Sequence, residues 1–291
     1  MFKNYLSNGL FLLVAIIMAA CSNDQSSQPE ITSQAPSTAE PSTDSRPNIL
    51  LIIADDLGYT DLGVYGSEIE TPNLDQLANA GLILTDFHTR AVCAPTSAAI
   101  LAGTDSRNAG GAMHQSDNQQ GVPGYESHLS RDVVAFPDLL QQAGYNTYLA
   151  GKWHLGNEED LTPNARGFDR SFALMEGFAS HFSDATRITP FDHAEYFEDG
   201  NLTESLPEDF FSTDFYTDYI IDAIEADAEK GQPWFAFLGY TAPHWPLQAP
   251  EEYIDKYTGY YDEGYDVLRE QRVARGKELG VIPQKAETYP R

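Results

Sequence analysis

The chain has 291 residues, enough for one large domain or two small ones. Its hydrophobic fraction of 42%, with 12% aromatic residues, can fill a core and excludes an intrinsically disordered protein. Its 44 acidic side chains outnumber 17 basic ones and give a formal charge of −27. This charge excludes nucleic acid as a partner, because phosphate binding needs a basic surface.

The first 21 residues have the pattern of a bacterial export leader. Lys3 precedes an apolar run over residues 10–20, which is too short to span a bilayer and ends in small residues. The run Ala19-Ala20-Cys21 resembles the lipobox of lipoproteins, although Met18 stands where leucine is commoner. We expect an exported protein, periplasmic or at the cell surface, that Cys21 anchors to the membrane through a lipid. The alternative is an ordinary signal peptide followed by an incidental cysteine.

Residues 22–46 predict a flexible tether. They are rich in Ser, Thr, Gln and Pro and show no apolar period, so they cannot bury a core. A flexible chain of this length has an r.m.s. reach of about 25 to 30 Å. The tether would therefore hold a globular domain, residues 47–291, clear of a membrane surface.

Predicted strands and helices alternate along the globular part. The first strand, residues 48–54, is an almost unbroken apolar run, as expected of a strand buried on both faces. Further strands are predicted at residues 145–150 and 234–240, and helices at about residues 72–80, 137–143 and 213–228. This alternation predicts an α/β domain with a mostly parallel sheet.

Polar side chains follow each of the three predicted strands. Asp55 and Asp56 follow the first, Lys152 and His154 the second, and His244 the third. Because open α/β sheets bind ligands outside the carboxyl ends of their strands, we expect these side chains to share one site. The two adjacent carboxylates suit a hard cation, Ca²⁺ or Mg²⁺, although such pairs also serve as turns and caps.

Cys93 is one of only two cysteines, and the other, Cys21, lies in the leader. A disulfide is therefore a poor explanation for it. Cys93 would stand at or just before a helix that runs from about Pro95 to Leu101. The free N–H groups and positive potential of a helix start suit an activated nucleophile and a bound sulfate. A buried, inert cysteine is the alternative.

Four segments, in this order along the chain, resemble those of the type I sulfatases. They are Pro47-Asn48-Ile49-Leu50-Leu51-Ile52-Ile53-Ala54-Asp55-Asp56, Cys93-Ala94-Pro95-Thr96-Ser97, Gly151-Lys152-Trp153-His154-Leu155-Gly156 and Ala242-Pro243-His244-Trp245-Pro246. The resemblance runs from Pro47 to the last residue. It implies an alkaline-phosphatase-like α/β fold, in which helices sandwich a mostly parallel sheet, and hydrolysis of a sulfate monoester.

The resemblance also implies roles for single residues. A formylglycine-generating maturation enzyme would oxidise Cys93, and the formylglycine hydrate would attack sulfur and later expel sulfate as the aldehyde reforms. Lys152 would neutralise the sulfate and formylglycine oxygens, and His154 would take the proton of the second hydroxyl. His244 would contact sulfate and assist the leaving group. No such motif surrounds the other histidines, which are His88, His114, His128, His181 and His193.

The implied metal site depends on Asp55, Asp56 and the modified Cys93, and here the chain departs from the family. The family signature has arginine where this chain has Ser97, a position whose space Arg90 or Arg107 could fill. Sulfatases also supply an Asp-Asn pair to the metal and a lysine to the leaving group, and no Asp-Asn-Gly segment occurs here. We therefore expect the amino-terminal part of the fold, incomplete at its carboxyl end.

The substrate that this resemblance implies is a sulfated small molecule or glycan, either an aryl or a carbohydrate sulfate. Two alternatives remain open. One is a phosphate or phosphonate ester hydrolase of the same superfamily, because similar sites accept either tetrahedral anion. The other is a catalytically inactive sulfatase-like lipoprotein, which Ser97 and the missing metal ligands favour.

Overall fold

The computed structural model describes residues 45–111, 119, 121–189 and 192–287. The predicted leader, Cys21, most of the tether and His114 lie outside these residues. Within the described ranges no helix has the length and apolar character that crossing a membrane requires.

A six-stranded sheet forms the centre of the described chain. Its strands are β1 (Ile49–Asp55), β2 (Asn146–Lys152), β3 (Arg170–Leu174), β4 (Tyr196–Glu198), β5 (Asn201–Leu202) and β6 (Trp234–Pro243). The strand order is β1-β6-β2-β3-β4-β5. The pairs β1–β6, β6–β2 and β2–β3 are parallel, and the two pairs that involve β4 are antiparallel. The mostly parallel sheet that the sequence predicts is thus confirmed.

Helices pack on both faces of this sheet. The α-helices of the described residues are α1 (Pro72–Ala80), α2 (Cys93–Ala102), α3 (Phe136–Gln142), α4 (Ser212–Ala226), α5 (Glu251–Lys256) and α6 (Tyr265–Glu278). Helix α4 packs on β6, β2 and β3, whereas α3 packs on β2 and against α2. Because successive side chains of a strand point to opposite faces, the sheet separates two cores. One includes Leu101, Leu149, Trp153 and Phe235, and the other includes Tyr148, Phe172, Tyr216 and Leu238.

The prediction that the first strand is buried on both faces is wrong for β1. Leu51 and Ile53 pack against the core on the α2 side of the sheet. Leu50 and Ile52, which point to the opposite face, are 49% and 40% exposed. The reason is positional, since β1 lies at an edge of the sheet and α4 packs on the strands beyond it.

Strands β2 and β6 make a close backbone approach where Gly151 lies opposite Gly239. A Cβ atom at Gly151 would lie 2.0 Å from the Gly239 carbonyl oxygen, and the backbone φ of Gly151 is +107°. Both observations require glycine at this position. The next residue along β2 is Lys152, so this close approach lies directly beside the predicted site.

Candidate active site

The carboxyl ends of β1, β6 and β2 border a cavity of about 330 Å³. Because these strands are adjacent and parallel, their last residues meet at one edge of the sheet, as the sequence predicts. The lining includes Asp55, Asp56, Arg90, Cys93, Ser97, Lys152, Gly239 and Tyr240. Four chain segments that are distant in sequence thus contribute to one cavity.

Cys93 is the first residue of α2, so the helix begins slightly earlier than predicted. Its thiol is half-buried, and Sγ lies 3.8 Å from Nδ1 of His154. The hydroxyl of Thr96 donates to the carbonyl oxygens of Val92 and Arg90, which fixes the turn before the helix. The side chain therefore lies at a positive helix start and beside an imidazole nitrogen.

Lys152 and Asp55 form a buried ion pair, with Nζ 2.5 Å from Oδ2. The two residues are 9% and 7% exposed. Lys152 ends β2 and Asp55 ends β1, so the pair reaches across the end of β6, which lies between them. Burial makes an unpaired charge costly, and the pairing therefore holds the ammonium at the cavity wall.

His154 is 2% exposed and packs against the backbone of Gly177. A Cβ atom at Gly177 would lie 2.6 Å from Cε1 of the imidazole, so only glycine leaves room for the ring. The backbone φ of His154 is +52°, in the left-handed region. The extended backbone of β2 therefore ends before His154, and the left-handed turn brings the ring to Cys93.

His244 follows β6 and is not among the residues that line this cavity. Its Nδ1 is 2.6 Å from the carbonyl oxygen of Trp245. A carbonyl only accepts hydrogen bonds, so Nδ1 carries the proton and Nε2 is the nitrogen available to another group. Nε2 lies 3.8 Å from Oδ2 of Asp56. The imidazole stacks on Phe178, with ring centroids 5.6 Å apart.

His181 is a residue near the site that the sequence motifs do not identify. It is 2% exposed, its Nδ1 lies 2.7 Å from Oγ of Ser212, and its Nε2 lies 3.5 Å from the carbonyl oxygen of His244. Burial lowers the pKa of the imidazole and favours its neutral form. His181 thus connects the start of α4 to the backbone that carries His244, a contact that only the fold reveals.

Ser97, which stands where the family signature has arginine, also lines the cavity. Arg90 lines the same cavity, and its Nη2 pairs with Asp105. Arg107 lines a neighbouring cavity with Arg90 and Asp105. Of the two arginines considered from the sequence, Arg90 is thus the one that reaches the cavity of Cys93.

Asp55 and Asp56 are the carboxylates that could bind a metal ion at this cavity. The side chain of Asp56 is 66% exposed, and its backbone φ is +65°. Across the described ranges, no group of three histidine, cysteine, aspartate or glutamate side chains is placed to hold a metal ion. The donor chemistry fits a hard cation such as Ca²⁺, which takes six to eight oxygen ligands, but these two residues supply only part of that shell.

Comparisons with known proteins agree with this geometry. A family model described as Sulfatase matches residues 47–289. An arylsulfatase of Klebsiella aerogenes is 43% identical over 240 residues, which are 81% of this chain and 51% of that protein. An uncharacterised sulfatase of Schizosaccharomyces pombe is 44% identical over 257 residues, which are 84% of this chain and 46% of that protein. The chain thus spans about half the length of these curated relatives.

A solved structure supports the same assignment. It is described as BT4656 in complex with its substrate D-glucosamine-2-N,6-O-disulfate, and it is 28% identical to this chain with a TM-score of 0.59. The similarity covers 74% of this chain and 38% of that one. With the family model matched over nearly the whole globular part, and with the alkaline-phosphatase-like α/β fold in place, the chain belongs to the sulfatase family.

Proposed function

We propose that the protein hydrolyses a sulfate monoester, an aryl or a carbohydrate sulfate, through a formylglycine made from Cys93. The observation that carries this proposal is the meeting of Cys93 and the Asp55–Lys152 pair at one cavity, with His154 in contact with the Cys93 sulfur, in a chain of the sulfatase family. The names of the relatives supply the two substrate classes, because one is an arylsulfatase and another binds a sulfated glucosamine.

The proposed cycle begins with the hydrate of the formylglycine at position 93. One hydroxyl oxygen attacks sulfur, the bond from sulfur to the alcohol oxygen breaks, and the alcohol leaves with a proton. The second hydroxyl then loses its proton, the aldehyde reforms, and the bond from carbon to the sulfate oxygen breaks. Covalent catalysis of this kind replaces one difficult displacement by two easier steps.

Three side chains would assist these steps. His154, 3.8 Å from the sulfur of Cys93, is placed to take the proton of the second hydroxyl. The Lys152 ammonium at the cavity wall would offset the negative charge of the sulfate oxygens. Nδ1 of His244 is occupied by its bond to Trp245, so an imidazolium at this position, with a proton on each nitrogen, would donate from Nε2 to sulfate and protonate the departing alcohol.

Asp55 and Asp56 would hold the divalent cation, Ca²⁺ or Mg²⁺, together with an oxygen of the modified residue 93. When bound, the cation would supply positive charge that polarises the oxygens near it. The exposed carboxylate of Asp56 leaves one side of this arrangement open to water. Within the described residues the shell is incomplete, so water or other donors would complete it.

We also propose that the protein is exported and anchored through a lipid on Cys21. This proposal depends on the short apolar leader and the polar tether. Intact-mass analysis of membrane-extracted protein should give a mature chain that begins at a lipidated Cys21. Unmodified Cys21 in soluble, secreted protein would refute the anchor.

The proposed function is tested on the full chain co-expressed with a formylglycine-generating enzyme. Peptide mass spectrometry should show an aldehyde in place of the Cys93 thiol, and Ser97→Arg should raise the converted fraction. The converted protein should release sulfate from 4-nitrophenyl sulfate, and Cys93→Ala should abolish this release. Thiol alone in both proteins, with no sulfate release, would favour the inactive lipoprotein.

Comparing a sulfate ester with the matching phosphate ester tests the remaining alternative, a phosphoester hydrolase. If 4-nitrophenyl phosphate is hydrolysed faster than 4-nitrophenyl sulfate under the same conditions, the phosphoester hydrolase assignment replaces the sulfatase. Faster hydrolysis of the sulfate ester supports the proposal. The Cys93→Ala variant is the control for contaminating phosphatases in both assays.

A further inference from the structure

A second, larger cavity adjoins the site on the far side of His244. It is an open groove of about 740 Å³ between the segment that follows β6, the start of α4, and α5. Its lining is mainly apolar and includes Leu247, Phe211, Tyr253 and Ile254. Leu247 is 82% exposed, Ile254 58% and Tyr253 53%. Large side chains of this kind, left exposed together, mark a surface that binds a partner or ligand.

The groove is connected to the catalytic cavity through His244. This histidine forms part of the groove wall, whereas its Nε2 lies 3.8 Å from Asp56, which lines the cavity of Cys93. In the proposed function His244 contacts the bond that breaks. An ester with its sulfur near Cys93 and its leaving oxygen near His244 therefore directs its alcohol part towards the groove.

The charges of the groove select among possible alcohols. The described residues that line it include no lysine or arginine, and Asp214 is the one carboxylate among them. The chain as a whole carries a formal charge of −27. A leaving group with further sulfates would meet negative charge and no fixed cation, whereas an uncharged aromatic ring would bury apolar surface against Leu247 and Tyr253.

We infer that this groove is the leaving-group subsite of the enzyme and that it takes an uncharged aromatic alcohol in preference to a polysulfated sugar. The inference rests on the proposed function for the assignment of the sulfate end. Two observations carry it together: His244 of the groove wall lies 3.8 Å from Asp56 of the catalytic cavity, and the described lining of the groove has no basic side chain.

The test measures binding to the full chain by titration calorimetry. The probes are 2-naphthyl sulfate, 2-naphthol and D-glucosamine-2-N,6-O-disulfate. Leu247→Lys places a charge in the groove, and Leu82→Lys is its matched control, because both leucines are 82% exposed and Leu82 does not line the groove. Both variants change the net charge equally.

We expect Leu247→Lys to weaken binding of 2-naphthol and 2-naphthyl sulfate about tenfold, the effect of losing roughly 1.4 kcal/mol of apolar contact. The same variant should strengthen binding of the disulfate, and Leu82→Lys should change none of the three. Equal effects of the two lysine variants would overturn the inference. So would tighter binding of the disulfate than of 2-naphthyl sulfate by the unaltered chain.

A further variant separates this inference from the proposed function. Lys152→Met should weaken binding of 2-naphthyl sulfate and leave that of 2-naphthol unchanged, because only the former carries the sulfate. In one outcome, binding of 2-naphthol depends on Leu247 while Lys152→Met leaves binding of 2-naphthyl sulfate unchanged. That result would support the groove inference and contradict the proposed sulfate site. If Lys152→Met weakens binding of 2-naphthyl sulfate but 2-naphthol does not bind, the result would support the sulfate site and contradict the groove inference.

Discussion

The end of β1 and the segment that follows it supply carboxylates to two ion clusters that are built differently. Asp55 pairs with Lys152 at the wall of the cavity that Cys93 also lines. Asp61 and Glu68 bind Arg272 of α6, and all three guanidinium nitrogens donate to these two carboxylates. In the part of the chain that the structure describes, the Lys152 ammonium, which has three donors, gives one of them to a carboxylate.

The difference teaches which buried charges are available for chemistry. The second cluster is saturated, because Tyr261 also donates to Glu68, and the arginine lowers the pKa of Glu68 from 4.5 to about 2. It attaches α6 to the segment after β1. The first cluster lies beside Cys93 and retains donors for a ligand. Burial and charge alone therefore do not single out a candidate catalytic group, whereas donors left available at the cavity of Cys93 do.

The largest effect should come from removing the centre of the saturated cluster. Arg272→Ala leaves Glu68 and Asp61 without their cation, and both side chains are mostly buried. We expect a loss of about 3 to 5 kcal/mol in the free energy of unfolding, measured by urea denaturation. In Arg272→Lys the ammonium is a point charge that cannot bind both carboxylates in a fork. Its free energy of unfolding should therefore fall between those of the wild type and Arg272→Ala. A loss below about 1 kcal/mol for Arg272→Ala would contradict the assignment.

The Lys152–Asp55 pair should matter more for activity than for stability. In Lys152→Met with Asp55→Asn, both charges are removed together, so the free energy of unfolding should change by less than about 2 kcal/mol. Sulfate release from 4-nitrophenyl sulfate should fall by about 10² to 10³-fold, because the charge opposite the sulfate oxygens is lost. Activity close to that of the unaltered enzyme would assign the pair to stability alone.

Acid should act on the saturated cluster through Glu68. Its folded pKa of about 2 lies below its ordinary 4.5, so the contribution is complete above 4.5 and is lost as the pH falls towards 2. The side chain is 10% exposed, and the contribution is on the order of 3 kcal/mol. The free energies of unfolding of the wild type and of Glu68→Gln, measured in urea at descending pH, should therefore converge as the pH falls from 4.5 towards 2. Curves that stay parallel would show that Glu68 does not titrate in this way.

The smallest of these effects should come from the position of His154. In Gly177→Ala the new methyl group would lie 2.6 Å from the imidazole and displace it from Cys93. We expect about a tenfold fall in kcat with little change in KM, because the proton acceptor is misplaced while the substrate contacts remain. Gly81→Ala, at the end of α1 and away from the cavity lining, is the control. Unchanged kcat in a folded Gly177→Ala variant would place the ring elsewhere.

Much of the fold could be predicted from local patterns. The apolar runs that became β1, β2 and β6 have lengths typical of parallel strands, and the rule for their carboxyl ends brings the polar residues to one edge. The half-exposed face of β1 could not be predicted in this way. Which strand lies at an edge, and where α4 ends its cover, are properties of the whole sheet and are not encoded in the seven residues of β1.

Only part of the candidate site could likewise be predicted from local sequence. Cys93, Lys152, His154 and His244 stand in motifs with recognisable neighbours, so their sequence context identifies them. His181 contacts Ser212 and the backbone of His244, and these partners are 31 and 63 residues away. The partners of Arg272 are over 200 residues away. Contacts of such range depend on packing that no local pattern contains.

The pairing of Gly151 with Gly239 also bears on the register of β2 against β6. If β2 slipped by one residue, Ala150 or Lys152 would stand opposite Gly239, and neither adopts the φ of +107° found at Gly151 without strain. A one-residue slip would also turn every side chain of β2 to the other face, so Lys152 would point away from Asp55. A residue that lacks a side chain thus favours the one alignment in which the charged pair forms.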